Sequence, residues 1–190
     1  MPKKTFSLQR WIFLIIVPAL AITNALLLQQ NFSMRSMVFA DHSDLDLLKP
    51  GDRVRAFQAQ LLDGERFEVE FRQGESAWVF LYFSPRCRFS HEQFPYWRPL
   101  IEAVSSDFKL VGLVSEHEEP QQVREFLKSM HAEDLPVLRI SDGVFRDYKL
   151  LITPLTLTVD AQGQVQSNWV GRWGYDTMGE AARLLHLPQP

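Results

Sequence analysis

Apolar and polar positions along this chain change period in a regular order, and the order predicts its elements. Trp78-Val79-Phe80-Leu81-Tyr82-Phe83 is an unbroken apolar run of strand length, the pattern of a central strand covered on both faces. His91 to Val104 carries Phe94, Trp97, Leu100, Ile101 and Val104 at helical spacing, and Pro95 is expected to bend that helix rather than start it. Phe108 to Ser115 reads as the next strand. Glu118-Glu119-Pro120 has the acids and proline of a helix start, with Val123, Phe126, Leu127 and Met130 on one face beyond it. Pro136 to Ile140 is strand-like, Asp142 to Leu150 a short helix and Leu155 to Val159 a strand. Asp160-Ala161-Gln162-Gly163 turns into Gln164 to Val170, and Gly179 to Leu187 is a final helix. Ahead of these, Arg53 to Ala59 and Arg66 to Phe71 flank Leu62-Asp63-Gly64-Glu65, whose Asp-Gly pair marks a turn. Strands alternating with helices and ending in a hairpin predict an α/β fold with a mixed central sheet flanked by helices.

The N-terminal pattern is different. Trp11 to Leu28 runs eighteen residues without a charge, about 27 Å as a helix at about 1.5 Å per residue, just enough to cross a hydrocarbon core. A removable signal peptide is the competing reading, but the small-residue triplet Val38-Phe39-Ala40 lies too far beyond the run to serve as its cleavage site. Lys3, Lys4 and Arg10 precede the span, whereas Asp41, Asp44 and Asp46 follow it with a single Arg35. The positive-inside rule then keeps the N-terminus in the cytoplasm and exports the rest. The expected organisation is a cytoplasmic N-terminus (1–10), a transmembrane signal anchor (11–28), a linker (29–49) and one domain (50–190). Such a chain is a single-pass protein of the inner membrane with its domain in the periplasm.

A net charge of −3 without a basic stripe gives no support to nucleic-acid binding. The five histidines lack the spacing of a metal site, and no motif asks for a cofactor. Trp97, Trp169 and Trp173 read as core or rim aromatics, and Asp63, Glu65, Glu116, Glu118 and Glu119 as solvated turns and helix starts.

Candidate chemistry rests on Cys87, the only cysteine in the 190 residues. It stands where a strand gives way to a helix. Unsatisfied N–H groups and about half a positive charge at a helix N-terminus favour thiolate over thiol. Arg86 and Arg88 flank it and are expected to lower its pKa further; His91, four residues on, shares its helical face. Three residues beyond Cys87, where a Cys-x-x-Cys motif would place a resolving thiol, stands Ser90. Cys87 cannot close a disulfide within its own chain. Ser90 can still donate a hydrogen bond to the thiolate, since a spacing of three brings the side chains together.

An ordered set of motifs carries a resemblance. Gly51-Asp52 through Phe57, Asp63-Gly64, the strand ending at Cys87, Glu92 and Pro95, Asp142 to Tyr148, Thr153-Pro154-Leu155-Thr156-Leu157 and Asp160 to Gly163 follow one another over nearly all of residues 50 to 187. In this the chain resembles the membrane-anchored, thioredoxin-like redoxins, periplasmic thiol-disulfide proteins related to the alkyl hydroperoxide reductase and thiol-specific antioxidant group. Its Ser84-Pro85-x-Cys87 lead-in is similar to that of the family's methylamine-utilisation accessory proteins. The resemblance implies a thioredoxin-like fold, Cys87 as the attacking cysteine, and Thr153-Pro154 as a loop with a cis-proline facing it, where an extended substrate can pair. Two departures stand out. Ser90 replaces the second cysteine, and Leu81 occupies a strand position where such folds often carry a buried polar or acidic group.

Three readings follow. In the first, Cys87 is a monothiol oxidoreductase forming mixed disulfides with a client protein or a small thiol, with Ser90 assisting and Arg86, Arg88, Thr153 and Pro154 meeting the substrate. In the second, the fold is a redox-silent binding module. In the third, Cys87 is a one-cysteine peroxidase, although Ser84-Pro85-Arg86 lacks the proline- and threonine-containing approach of peroxide-reducing relatives. One thiol per chain in an oxidising space also permits a Cys87-linked homodimer.

Overall fold

The computed structural model describes Pro18, Thr23, Asn24, residues 45–103 and residues 108–185. The predicted anchor at 11–28 otherwise lies outside the described residues. Among those described, no helix is long and apolar enough to cross a membrane. Contacts along the chain separate a unit ending at Leu45 from one beginning at Asp46, and the fold below is that of the second.

Among the described residues, seven strands form one sheet in the order β2-β1-β5-β4-β3-β6-β7. In the chain they are β1 (Phe57–Leu61), β2 (Arg66–Val69), β3 (Ala77–Tyr82), β4 (Phe108–Ser115), β5 (Val137–Ile140), β6 (Leu155–Val159) and β7 (Val165–Val170). The helices are α1 (Arg88–Glu102), α2 (Pro120–Ser129), α3 (Asp142–Asp147) and α4 (Tyr175–Leu184). Strands β3, β4 and β5 run parallel, joined by helical crossovers, while β6, β7, β1 and β2 complete the sheet with antiparallel pairs. This is a thioredoxin-like mixed sheet with flanking helices.

Strand β3 shows why the sheet is organised around it. Trp78, Phe80 and Tyr82 point to one face, where they join Phe57, Tyr148, Leu150 and Leu157. Val79, Leu81 and Phe83 point to the other and join Phe94, Trp97, Leu100, Val123 and Phe126 from α1 and α2. Side chains alternate across a strand, so a continuous apolar run is the sequence of a strand buried on both sides. Trp97 is fully buried and its Nε1 donates to Thr156 Oγ1 at 2.8 Å, fixing α1 to β6. Trp169 and Trp173 are core residues too.

Several boundaries differ from the expectation, among them the last helix, which starts at Tyr175 rather than Gly179, and β2, which ends at Val69 rather than Phe71. Helix α1 begins at Arg88 rather than His91 and takes both Pro95 and Pro99 into its interior. Each proline leaves the carbonyl four residues earlier without its helical partner. Both sit on the exposed side of the helix, opposite Phe94, Trp97 and Leu100. Strand β1 starts at Phe57, with Arg53 making only an isolated bridge to Gln164. Finally, Leu47 and Leu48, from the stretch read as linker, are buried in the core, and Leu48 O accepts from Asn168 Nδ2 at 2.8 Å. The burial of these two leucines extends the folded unit upstream of Pro50.

Candidate active site

Parallel strands deliver their C-terminal ends to one edge of the sheet, and the turn leaving β3 brings Ser84-Pro85-Arg86-Cys87 there. The turn closes with Cys87 N donating to Ser84 O at 3.0 Å. Cys87 is the N-cap residue of α1, with extended backbone (φ −86°, ψ 116°), and its neutral thiol closes no capping hydrogen bond. Its thiol is free and half-buried. The thiol donates to the Thr153 carbonyl oxygen at 3.5 Å, and the Thr153–Pro154 peptide bond is cis. Residues 66 positions apart in sequence are thus in contact.

A third segment completes the wall. Gly171 N donates to Pro154 O at 2.8 Å, tying the loop after β7 to the cis-proline loop. Next to it, Trp173 N donates to Oε1 of the buried Gln93 of α1 at 2.7 Å.

Burial opposes ionisation of Cys87 and is the largest single influence on it. Hydrogen bonding with the Thr153 side chain, with the Ser90 backbone and hydroxyl, and with the Phe89 backbone together outweighs it, so the thiol pKa lies below its ordinary value. Ser90 is fully buried, and its hydroxyl also accepts from Ser84 N at 3.4 Å. It therefore braces the turn as well as the sulfur.

The arginines act differently from the sequence expectation. Neither is among the causes that lower the Cys87 pKa. Arg88 Nε donates to Glu92 Oε1 at 2.9 Å one turn along the helix, and Arg86 Nη2 lies 3.4 Å from Glu118 Oε2. His91 is likewise engaged elsewhere. Its Nε2 meets Pro85 O at 2.9 Å and its ring packs edge-on against Phe126.

Glu118 is the residue that sequence reasoning missed. It reads as a solvated helix start, but it is only 5% exposed. Ser84 Oγ donates to its Oε1 at 2.7 Å, and the same hydroxyl accepts from Arg86 N at 3.3 Å. The approach of Arg86 to Oε2 is an ion pair without hydrogen-bond geometry, so that buried oxygen has no donor. Tyr82 registers the charge. Its hydroxyl pKa is pushed up to about 12, first by burial and second by Glu118. Leu81, in contrast, is wholly buried among apolar neighbours. The acidic group near the turn comes from the segment just after β4, not from β3. No local sequence signal marks it, because its position depends on β4 pairing beside β3, with Tyr82 opposite Leu113.

Elsewhere, Glu116, His117 and Asp142 gather their ligand-capable atoms within 4.8 Å on the exposed surface, although the histidine spacing gave no hint of it. The cluster is explained by its own bonds: His117 Nε2 to Asp142 Oδ1 at 3.2 Å, and Asp142 N to Glu116 Oε1 at 3.2 Å.

Comparison with known proteins agrees with this geometry. No curated protein sequence matches the chain. Among solved structures, the thioredoxin domain of a thiol-disulfide oxidoreductase from Bacteroides vulgatus is similar with a TM-score of 0.59 at 14% identity, covering 72% of this chain and 98% of that one. A thiol:disulfide interchange protein of the thioredoxin family from Chlorobium tepidum gives 0.54 at 21% identity, covering 71% and 97%. A secreted disulfide oxidoreductase from Mycobacterium tuberculosis gives 0.54 at 16% identity, covering 67% and 95%. At such identities the likeness is one of fold. The Redoxin family model matches residues 49–172, well over half of the chain, and the chain belongs to the redoxin family.

Proposed function

We propose that this protein is a membrane-anchored, periplasm-facing thiol-disulfide oxidoreductase that works through Cys87 alone. The observation that carries this reading is the placement of a free, half-buried thiol at the N-cap of α1, in contact with the cis Thr153–Pro154 loop. The thiolate is the attacking species in exchange. It attacks one sulfur of a client disulfide, forming the Cys87–client bond and expelling the other client sulfur as a thiolate, which takes a proton from water. With serine at position 90, the second step falls to an outside thiol. That thiol, as thiolate, attacks the client sulfur, carries it off as a new disulfide and restores the Cys87 thiolate. Ser90 and Thr153 stabilise the sulfur's charge at the start and at the end of this cycle.

The test is the rate of Cys87 alkylation by iodoacetamide against pH, with intact mass to detect adducts. A titration midpoint below about 8.5, adducts with small disulfides and a tenfold loss of rate per pH unit below the midpoint are expected. Cys87→Ser abolishes the signal. An unreactive thiol would leave a thioredoxin-like scaffold that binds without turnover.

A further inference from the structure

The arginines around Cys87 leave the sulfur alone and face the solvent. Arg86, Arg88 and Arg172 expose 73%, 87% and 51% of their side chains, whereas their carboxylate partners Glu118 and Glu92 expose 5% and 33%. Each pair is thus oriented with its positive end outward. Glu92 serves two arginines, since Arg172 Nη1 lies 4.0 Å from its second oxygen. In these pairs three guanidiniums share two carboxylates.

Hydrogen-bonding capacity remains as well. A guanidinium carries five N–H donors. Arg88 spends Nε on Glu92, and neither the Arg86 nor the Arg172 guanidinium donates a hydrogen bond to any of the described residues. Two exposed apolar groups adjoin the site in the chain: Phe89, two residues after Cys87, and Leu151, two residues before Thr153.

Resting on the exchange reading above, we infer that the disulfide partner of Cys87 is a polypeptide segment with carboxylates within a residue or two of its cysteine and an apolar residue beside them. The arginines meet the carboxylates, Phe89 and Leu151 take the apolar residue, and the cysteine sulfur meets Cys87. Guanidinium forks match carboxylates geometrically as well as electrostatically.

The experiment uses the full chain, reduced and held in a nonionic detergent, with three disulfide probes. Two are peptides carrying Cys-S-S-pyridyl flanked by aspartates or by lysines, and the third is glutathione disulfide. Cys87 thiolate attacks the peptide sulfur, the new Cys87–peptide bond forms, and pyridine-2-thiolate leaves, takes up a proton and is read by its absorbance. Reaction with glutathione disulfide is followed by intact mass. Each rate constant is divided by that of the same probe with a neutral model thiol, which removes the intrinsic reactivity of the disulfide. The expected result is about a tenfold preference for the aspartate peptide over the lysine peptide at low salt, shrinking toward unity in high salt. The double substitution Arg88→Gln, Arg172→Gln is expected to cut the preference at least threefold. Equal normalised rates for the two peptides overturn the inference, as does a normalised preference for glutathione disulfide over the aspartate peptide, which would make the partner a small anionic thiol. Both results leave the exchange reading intact. Failure to react with any probe, in a chain whose thiol still alkylates, overturns the exchange reading itself.

Discussion

Burial raises the Cys87 thiol pKa, and hydrogen bonding with Thr153 across the site and with Ser90 and Phe89 in the first turn of its own helix outweighs it. These hydrogen bonds are short-range and directional, so each can be removed singly. A hydrogen bond worth about 1 kcal/mol to the charged form corresponds to about fivefold in thiolate fraction. We therefore expect Ser90→Ala to raise the thiol pKa and to slow iodoacetamide alkylation about fivefold at a pH below the midpoint. Thr153→Val should act in the same direction. A rate that rises or stays constant in both variants would place the cause of the lowered pKa elsewhere. The carboxylate of Glu118 has a separate task. Through Ser84 Oγ it holds the turn whose carbonyl accepts from Cys87 N.

At the level of elements, the site depends on how closely β4 lies against its neighbours. Gly112 is paired with Leu81 on one side and Val137 on the other. A Cβ placed there would stand 2.9 Å from Val137 Cγ2, 3.0 Å from the Phe83 ring and 3.3 Å from Leu135 Cδ2. Phe83 is the residue immediately before the Ser84 turn, so crowding at Gly112 reaches the site directly. Gly112→Ala is expected to lower stability by about 1–3 kcal/mol through overpacking, measured as a lower urea midpoint with an unchanged slope. Stability equal to the parent would show that the sheet relaxes around the methyl group. Helix α1 faces the opposite demand. Its two prolines weaken backbone bonding on the wet side, and the Trp97–Thr156 hydrogen bond with the packing of Phe94 and Leu100 holds the dry side.

For the whole molecule, the question is where the domain works. A lone thiol in an oxidising space meets disulfides continually, whereas in a reducing cytosol it meets few. The uncharged run at 11–28 with lysines and arginine before it and aspartates after it predicts an anchor with the domain outside. The full chain produced in a bacterium should stay in the membrane pellet after an alkaline carbonate wash. Protease added to spheroplasts should then digest the domain. Release into the wash would argue for a cleaved leader, and a protected domain for the reverse orientation.

What the sequence determined by itself was everything carried by period and by local backbone chemistry. Continuous apolar β3, the facing pattern of α2, the Asp-Gly turn at 63–64 and the position of Cys87 at a strand-to-helix junction are each properties of a few adjacent residues. The start of α1 was less legible because its first turn, from Arg88, precedes the apolar period that Phe94, Trp97 and Leu100 carry. What only the tertiary structure decided depends on which strands lie side by side. Glu118 looked solvated because acids before a proline usually cap a helix in water, and only the pairing of β4 beside β3 carries it under Ser84. The arginines looked like tuners of the sulfur because they adjoin it in sequence, but their guanidiniums turn to carboxylates on α1 and beyond β4. Adjacency in the chain fixes where a backbone passes, while the direction of a long charged side chain is set by the partner that folding places within its reach.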